Sequence, residues 1–512
     1  MPPDMAEWLP EGHLAWFVLD VVEQVDTSVF HRRHPRSGPG RRAYDPDMLL
    51  ALLLYSYAVG QRSSRRIEAL CETDVAFRVL CAQDGPDHTT IARFRSVHED
   101  AFAEVFAQVL VLCASAGMGR VGVVSIDGSK IAANASLGAN RGEEWLREQA
   151  AEQAGEQARA IVAEAAATDA AEDEEFGEGR GDELPREFAD RSGRRERIRK
   201  ALDEIGKQTK QAERDDADDR ARAEEYLRRV EAGETVMGKP PAGTDPVRLH
   251  RARLARAKTR LAGAAAKTEA HNTARRQVRG AQRDLQAAEA AAAAGTVDLE
   301  GAAAKKRRRR GDPAPVANTS DPDSRMMSTR CGGFVQGYNA QLAVTDDHLI
   351  LATALTQDAN DYDAFEPMMN AARAATEAVD QLGGTGGIGV ILADAGYLTE
   401  DNLTITGPDR LIATGKHHDV SRNARDHPAQ GPPSPGASAI ERMRHRLRTP
   451  EDHATYKRRS ATVEPVIGHL KDQTGLRRFS RRGLTAAASE LNLAAAVVNL
   501  LKLHNHTPQP AT

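Results

Sequence analysis

Two short apolar segments that each run into an aspartate constrain this chain more than any other feature. They are residues 121–127 and 388–394, and both are rich in β-branched and aliphatic side chains. Such runs are typical of buried central strands. A carboxylate at the end of a buried strand costs desolvation free energy unless a cation or hydrogen bonds compensate it. If the two strands are parallel neighbours, Asp127 and Asp394 meet at one edge of a sheet, where they could hold a metal ion.

The charge of the chain is distributed unevenly. The net charge of -5 over 512 residues does not by itself indicate a nucleic-acid-binding protein. Residues 141–190 carry 16 acidic and 5 basic side chains, whereas residues 441–482 carry 5 acidic and 12 basic ones. An acidic segment therefore masks a basic surface in the average. The length predicts several domains.

The composition also argues against several other classes of protein. The four cysteines are scattered and form no C-x-x-C pair, so we expect reduced thiols rather than a zinc site or a disulfide framework. The N-terminus shows no basic segment followed by an apolar core, and no run of eighteen apolar residues occurs. We therefore expect no signal peptide and no membrane span.

The first domain, residues 1–116, is predicted to be helical. Short amphipathic segments between residues 45 and 116 are similar in spacing to a helix-turn-helix. The helix that begins near Thr89 carries Arg93 and Arg95, which are candidates for contact with DNA. The alternative is a plain helical bundle whose arginines are solvated.

A long segment of different composition, residues 141–310, interrupts the chain. It is rich in Ala, Glu, Arg and Gln and predicts two long helices joined by the turn-rich residues 233–246, as a coiled-coil-like hairpin with a thin apolar seam. Residues 165–190 are acidic and predicted to be disordered. The basic run 305–310 is either a solvated tail or a phosphate-binding patch.

The remaining elements predict an α/β fold with a ribonuclease-H-like mixed-sheet core. Residues 332–344 and 349–355 predict a β-hairpin, followed by a helix, the strand 388–394, a short strand at 411–414, a basic helix from Pro450 and an apolar helix from Leu484. Residues 117–140 form the first part of this core and residues 311–512 the second.

A third acid is needed to complete a two-metal site, and Glu464 is the candidate. It interrupts an otherwise basic and apolar helix. Mg²⁺ prefers a few carboxylate oxygens, and two such ions can clamp the attacking and leaving oxygens of a phosphodiester displacement. Tyr456, Arg459 and Lys471 are candidate phosphate contacts. Other acids are expected to be loop or cap residues: Asp321, Asp323, Asp346, Asp358, Asp361 and Asp363.

With these residues in place, the chain resembles a DDE transposase of a bacterial insertion sequence, in the branch with a Y-x-x-R…E-x6-K signature. The blocks that carry the resemblance are residues 44–50, 63–68, 86–95, 126–135, 321–327, 337–341, 393–397, 456–471, 475–479 and 482–484. One departure is that four residues separate Arg459 from Glu464, where the family has three. The six residues between Glu464 and Lys471 match.

The resemblance implies an enzyme that cuts transposon ends and joins them to target DNA, with Asp127, Asp394 and Glu464 as ligands of two Mg²⁺ ions that Mn²⁺ can replace. It implies double-stranded DNA as the partner, a synapsed homodimer or larger assembly, and a bacterial cytoplasmic location at the nucleoid. Two alternatives stay open at this point. One is a catalytically silent DNA-binding or scaffolding protein, and the other is a ribonuclease-H-like nuclease without strand transfer.

Overall fold

The computed structural model describes residues 5–32, 43–152, 191–234, 236, 239–266, 268–297, 299–302, 304–305, 315–329, 332–380 and 387–506. The acidic segment 165–190 and most of the basic run 305–310 lie outside the described residues. The predictions made for them are therefore not tested.

Among the described residues up to 116, the regular secondary structure is helical, as predicted. The α-helices are α1 (Leu14–Gln24), α2 (Ser28–His31), α3 (Pro46–Ala58), α4 (Ser64–Thr73), α5 (Val75–Leu80), α6 (His88–Val97) and α7 (Ala101–Ser115). Side-chain oxygens of Asp45, Ser63 and Asp87 accept backbone N–H groups at the starts of α3, α4 and α6. These caps satisfy donors that a helix leaves without an internal partner.

The insertion holds more helices than the two that were predicted. Its described helices are α8 (Glu143–Glu152), α9 (Arg191–Glu231), α10 (Pro246–Ala262) and α11 (Glu269–Ala293). The second predicted helix is broken because Gly263 ends α10 and the Thr268 side chain caps the start of α11, accepting from His271 N at 3.1 Å. Glycine and threonine at these positions are common helix stop and start signals.

A mixed six-stranded sheet forms the centre of the fold. The described strands, including two outside this sheet, are β1 (Val123–Ala132), β2 (Asn140–Gly142), β3 (Val316–Asn318), β4 (Arg325–Ser328), β5 (Phe334–Thr345), β6 (Ile350–Thr356), β7 (Val390–Ala393) and β8 (Asp409–Ile412). The order is β4-β5-β1-β7-β8, with β6 also paired to β5, while β2 and β3 pair separately. Strands β1, β7 and β8 run parallel, and β5 runs antiparallel to β1. This arrangement is consistent with a ribonuclease-H-like DDE domain.

Strand β1 continues past Asp127, where the sequence had suggested an end. Its parallel pairing with β7 stops at Ile126, but its antiparallel pairing with β5 extends to Ala132. Asp127 therefore lies within a strand, at the point where one of its two neighbours ends. The predicted β5–β6 hairpin is confirmed, with His348 at a φ of 68° in its turn.

The C-terminal half supplies the helices that cover the sheet. They are α12 (Phe365–Asp380), α13 (Glu400–Thr404), α14 (His417–Asp426), α15 (Ala439–Arg446), α16 (Pro450–Asp472) and α17 (Leu484–His506). Helix α16 packs on β1, β5 and β7, and α17 packs on α7, α3 and β6. By length and composition α17 could cross a membrane, but 78% of its apolar window is buried in the protein.

The chain divides into two compact units. The first comprises Met1–Arg141, Leu146–Ala201 and Ala317–Thr512, so the N-terminal helices and the sheet belong together. The second comprises Gly142–Trp145 and Leu202–Val316, which is most of the insertion.

Candidate functional site

The segments that precede Asp127 and Asp394 lie in neighbouring parallel strands, which was the condition for the two carboxylates to meet. In the parallel pair β1–β7 the last partners are Ile126 and Ala393, and the next residue in each chain segment is Asp127 and Asp394. Equivalent positions on adjacent parallel strands lie side by side. The structure therefore brings together two carboxylates that are far apart in sequence.

Asp127 is a buried carboxylate, 8% exposed. It accepts a hydrogen bond from Gly128 N at 2.9 Å and forms an ion pair with Arg459, whose Nη1 lies 2.9 Å from Oδ2. Burial raises the pKa of Asp127, the Arg459 guanidinium lowers it, and the negative charge of Asp394 raises it. The net result is a raised pKa, so the surroundings of Asp127 do not fully compensate the negative charge of its carboxylate.

Arg459 and Tyr456 come from the buried face of α16. Tyr456 is 2% exposed and packs among apolar side chains of β1, β7 and β8. Arg459 is 7% exposed, and its buried Nε has no hydrogen-bond partner among the described residues. The structure thus gives Arg459 a direct contact with Asp127, and the prediction that it and Tyr456 bind DNA phosphate stays untested.

Lys471 reaches the same face of β1. Its Nζ donates to Ser129 Oγ at 2.7 Å and contacts the Lys130 carbonyl oxygen at 3.4 Å. Ser129 lies two residues beyond Asp127, and residues two apart in a strand share one face. Burial lowers the pKa of Lys471. The lysine is therefore placed beside the carboxylate pair.

Glu464 is exposed on α16. Among the described residues, the one group of three potential metal-ligand atoms within 4.8 Å of one another is His31, Asp45 and Asp47. Asp127, Asp394 and Glu464 do not converge in this way. The assignment of Glu464 as the third ligand stays a prediction.

Asp361 lies close to Asp394, although the sequence suggested only a loop or cap residue. Its Oδ1 accepts hydrogen bonds from Asn339 Nδ2 at 2.8 Å and from Gln341 Nε2 at 2.7 Å. A Cβ atom at Gly396 would lie 2.8 Å from Asp394 Oδ1 and 3.0 Å from Asp361 Oδ2. Two carboxylates therefore border this glycine.

A second glycine, Gly128, also faces Asp361. A Cβ atom there would collide with Asp361 Oδ1 and Gln341 Nε2. Side chains alternate along a strand, so Asp361 approaches β1 from the face opposite to the Asp127 side chain. The sequence signal for this close approach of Asp361 was a glycine near each aspartate, in Asp127-Gly128 and in Asp394-Ala395-Gly396.

The two arginines assigned to DNA contact on α6 differ in environment. Arg93 is exposed. Arg95 is 2% exposed, and its guanidinium donates to Arg62 O, Tyr57 OH and Ser480 Oγ, each at 2.9 Å. Arg95 lies four residues after the buried Ile91 and therefore on the same buried face of α6. A side chain held in this way cannot reach DNA unless the domain opens. The position of Arg95 thus gives its predicted DNA contact no support.

Two families of known domains match the chain. Residues 3–97 match the family described as Transposase domain (DUF772), and residues 433–504 match the family described as Transposase DDE domain. The second match contains Tyr456, Arg459, Glu464 and Lys471, whereas Asp127 and Asp394 lie outside both. No curated protein and no solved structure gave a significant match.

The structure thus combines a mixed sheet, paired aspartates on neighbouring parallel strands and a helical N-terminal part. The two matches, over residues 3–97 and 433–504, support a DDE transposase of insertion-sequence type.

Proposed function

We propose that this transposase cleaves DNA at the ends of its mobile element and joins those ends to target DNA, with Mg²⁺ as cofactor. The observation that carries the proposal is the placement of Asp127 and Asp394 at equivalent positions of adjacent parallel strands. Burial raises the pKa of Asp127 even with Arg459 beside it, and repulsion from the half-buried Asp394 adds to this rise. A divalent cation would relieve this repulsion.

The chemistry of the two aspartates fits such a cation, although Glu464 does not converge with them in this structure. Carboxylate oxygens are the ligands that Mg²⁺ prefers, and the ion keeps free positions for water or phosphate oxygens. We infer that Asp127, Asp394 and Glu464 hold two ions, which Mn²⁺ could replace. When bound, the ions would activate a water or a 3′-hydroxyl and stabilise the leaving oxygen.

The protein's own cations would orient the DNA backbone at this site. Arg459 has a buried Nε without a partner among the described residues, and this group could donate to a phosphate oxygen if the site opened. Lys471 of α16 adds a positive charge beside Ser129, which lies two residues after Asp127 in β1. Arg93 is an exposed candidate for contact with DNA outside the site. We further infer a homodimer or larger assembly at the bacterial nucleoid.

The test is Mg²⁺-dependent cleavage of DNA that carries the element's ends. We expect Asp127→Asn, Asp394→Asn and Glu464→Gln each to lower cleavage at least about 100-fold, because each removes a ligand charge. Glu451→Gln is the matched control, since Glu451 is an exposed acid in the first turn of the same helix. Full activity of the Asp127 and Asp394 variants would refute the metal site.

Strand transfer needs a separate measurement. Pre-cleaved ends are incubated with a target plasmid, and joined product is measured on a gel. We expect joining that depends on the same two aspartates. Cleavage without joining under the same conditions would indicate a nuclease instead, and DNA binding without either reaction would indicate a silent DNA-binding protein.

A further inference from the structure

Helices α10 and α11 of the insertion, which we call the arginine hairpin, carry an unusual excess of positive charge. They follow each other through a short connection and pack against one another. The sequence of α10 contains six Lys and Arg residues and no Asp or Glu. A solvated helix usually mixes charges of both signs. The one-sided composition of α10 therefore calls for an explanation.

The pairing of charges differs between the arginine hairpin and the preceding helix. Three ion pairs of α9 in this unit join its own side chains: Lys207–Glu204, Arg222–Asp219 and Arg228–Glu225. In the arginine hairpin, seven exposed cations have no carboxylate partner among the described residues: Arg253, Lys258, Arg260, Arg275, Arg276, Arg279 and Arg283. The same unit thus neutralises one helix and leaves the next two positive.

These cations form stripes along the helices. Arg253 and Arg260 are seven residues apart on α10, and Arg276 and Arg283 are seven apart on α11. A spacing of seven places side chains on nearly the same face, roughly 10 Å apart along the axis. Rows of this kind match a linear polyanion better than a small anion, which needs donors converging on one point.

A groove beside α10 extends the positive surface. Its volume is about 770 Å³, and its floor includes Ala252, Ala255 and Thr259. Arginines that line it are Arg248, Arg251, Arg256 and Arg260, whereas Glu231 is the acid in the lining. Glu231 is bonded to Arg248 at 3.0 Å through both of its oxygens. Arg248 also pairs with Glu224, and Arg251 pairs with Glu289, so Arg260 is the lining arginine whose charge has no carboxylate partner among the described residues.

The exposed surface of this unit offers little for an apolar partner. Its buried apolar cluster, built on Tyr226, Leu227, Val230 and Leu249, is used to join the end of α9 to α10. Among the described residues of the unit, Leu299 is the large apolar side chain that is exposed. A partner would have to be recognised by charge, and not by burial of apolar area.

We propose that the arginine hairpin binds the phosphate backbone of double-stranded DNA, as a contact region separate from the carboxylate site. The inference rests on the proposed function only in taking DNA as the polyanion. Contacts of this type hold DNA without reading its sequence, because phosphates are the same at every base pair.

The experiment measures binding of the full chain to a fluorescein-labelled 40-base-pair duplex of arbitrary sequence, by fluorescence anisotropy in EDTA at several NaCl concentrations. The variant combines R253Q, R260Q, R276Q and R283Q. Removal of one arginine–phosphate interaction lowers the slope of log K against log salt by about 0.9, so removal of four lowers it by up to about 3.6. We expect at least tenfold weaker binding at about 100 mM salt.

The matched control removes four cations from the preceding segment: K207Q, R222Q, R228Q and R229Q, which are ion-paired within the protein. It changes the net charge by the same amount and should keep the wild-type slope. An unchanged slope in the hairpin variant, or equal weakening in the control, would overturn the proposal. If the fourfold variant loses helicity by circular dichroism, the pairs R253Q/R260Q and R276Q/R283Q are measured separately.

A charge-preserving variant with lysine at the four hairpin positions should keep the wild-type slope. Because the assay contains EDTA, it measures DNA binding without the metal of the carboxylate site. Failure of the proposed catalysis would leave these results unchanged, whereas failure of the hairpin proposal would appear in the slope alone.

Discussion

Replacement of Arg459 by methionine tests the electrostatics of the candidate site most directly. The Arg459 and Asp127 side chains are 9% and 12% exposed, so water screens their pair little. Methionine keeps most of the length of the side chain but leaves Asp127 buried and unpaired beside Asp394. Loss of one partner of a buried ion pair costs about 3–5 kcal/mol. We expect the free energy of unfolding in EDTA to fall by this amount, measured by urea unfolding with circular dichroism.

Two further measurements connect this loss to the charge of Asp127. Without Arg459 the pKa of Asp127 rises further, because the guanidinium is the main group that lowers it. A raised carboxyl pKa means that the folded state gains protons on acidification, so the variant should recover stability relative to wild type as the pH falls. Saturating Mg²⁺ should also stabilise the variant, by about 2.7 kcal/mol at 100 times the dissociation constant.

The control for this prediction is Arg458→Met. Arg458 is the neighbouring arginine of α16, is 46% exposed, and pairs with Asp346 at the surface. Exposed pairs of this kind contribute about 0–1 kcal/mol. If the Arg459→Met protein has the same free energy of unfolding in EDTA as the Arg458→Met protein, the reasoning about a buried, unpaired carboxylate is wrong.

Three other predictions follow from single positions. Gly128→Ala should lower the free energy of unfolding by about 1–3 kcal/mol and reduce cleavage, since the added methyl group collides with neighbouring side chains. In the control Gly122→Ala the methyl group meets no atom within 4 Å, so urea unfolding and cleavage should be unchanged. Arg95→Ala should cost about 3–5 kcal/mol because it opens a buried network, whereas Arg93→Ala should weaken DNA binding in anisotropy without loss of stability. Burial raises the pKa of Asp321 to about 6. As the pH rises from 4 to 6, the free energy of unfolding of the wild type should therefore fall by up to about 3 kcal/mol. Asp321→Asn should flatten this pH dependence in urea unfolding.

The sequence alone predicted the elements whose pattern is local. The strands before Asp127 and Asp394, the β5–β6 hairpin and the basic helix from Pro450 all carry their signals within a few residues. Arg95 could not be predicted as buried, because its partner Ser480 is 385 residues away in the chain. The place of Asp361 was equally hidden, since it depends on how the connection after β6 folds back on the sheet.

The extra residue between Arg459 and Glu464 has a clear structural consequence. Five steps of about 100° place Glu464 roughly 140° around the helix from Arg459, whereas four steps would leave about 40°. The position four after Arg459 is Val463, which is fully buried, and Glu464 is exposed. The helix rotation that pairs Arg459 with Asp127 therefore directs Glu464 to solvent.

The residue after Glu464 shows where this helix could change. Pro465 has no N–H for the carbonyl oxygen of Ala461, and His348 Nε2 donates to that oxygen instead, at 2.9 Å. The helix thus already lacks one backbone hydrogen bond beside Glu464. If Glu464 is a ligand together with Asp127 and Asp394, the metal-bound protein must differ from this structure in α16. Because Arg459 shares one face of the helix with the buried Val463, Val466 and Leu470, a rotation that brings Glu464 to the aspartates would also break the Arg459–Asp127 ion pair.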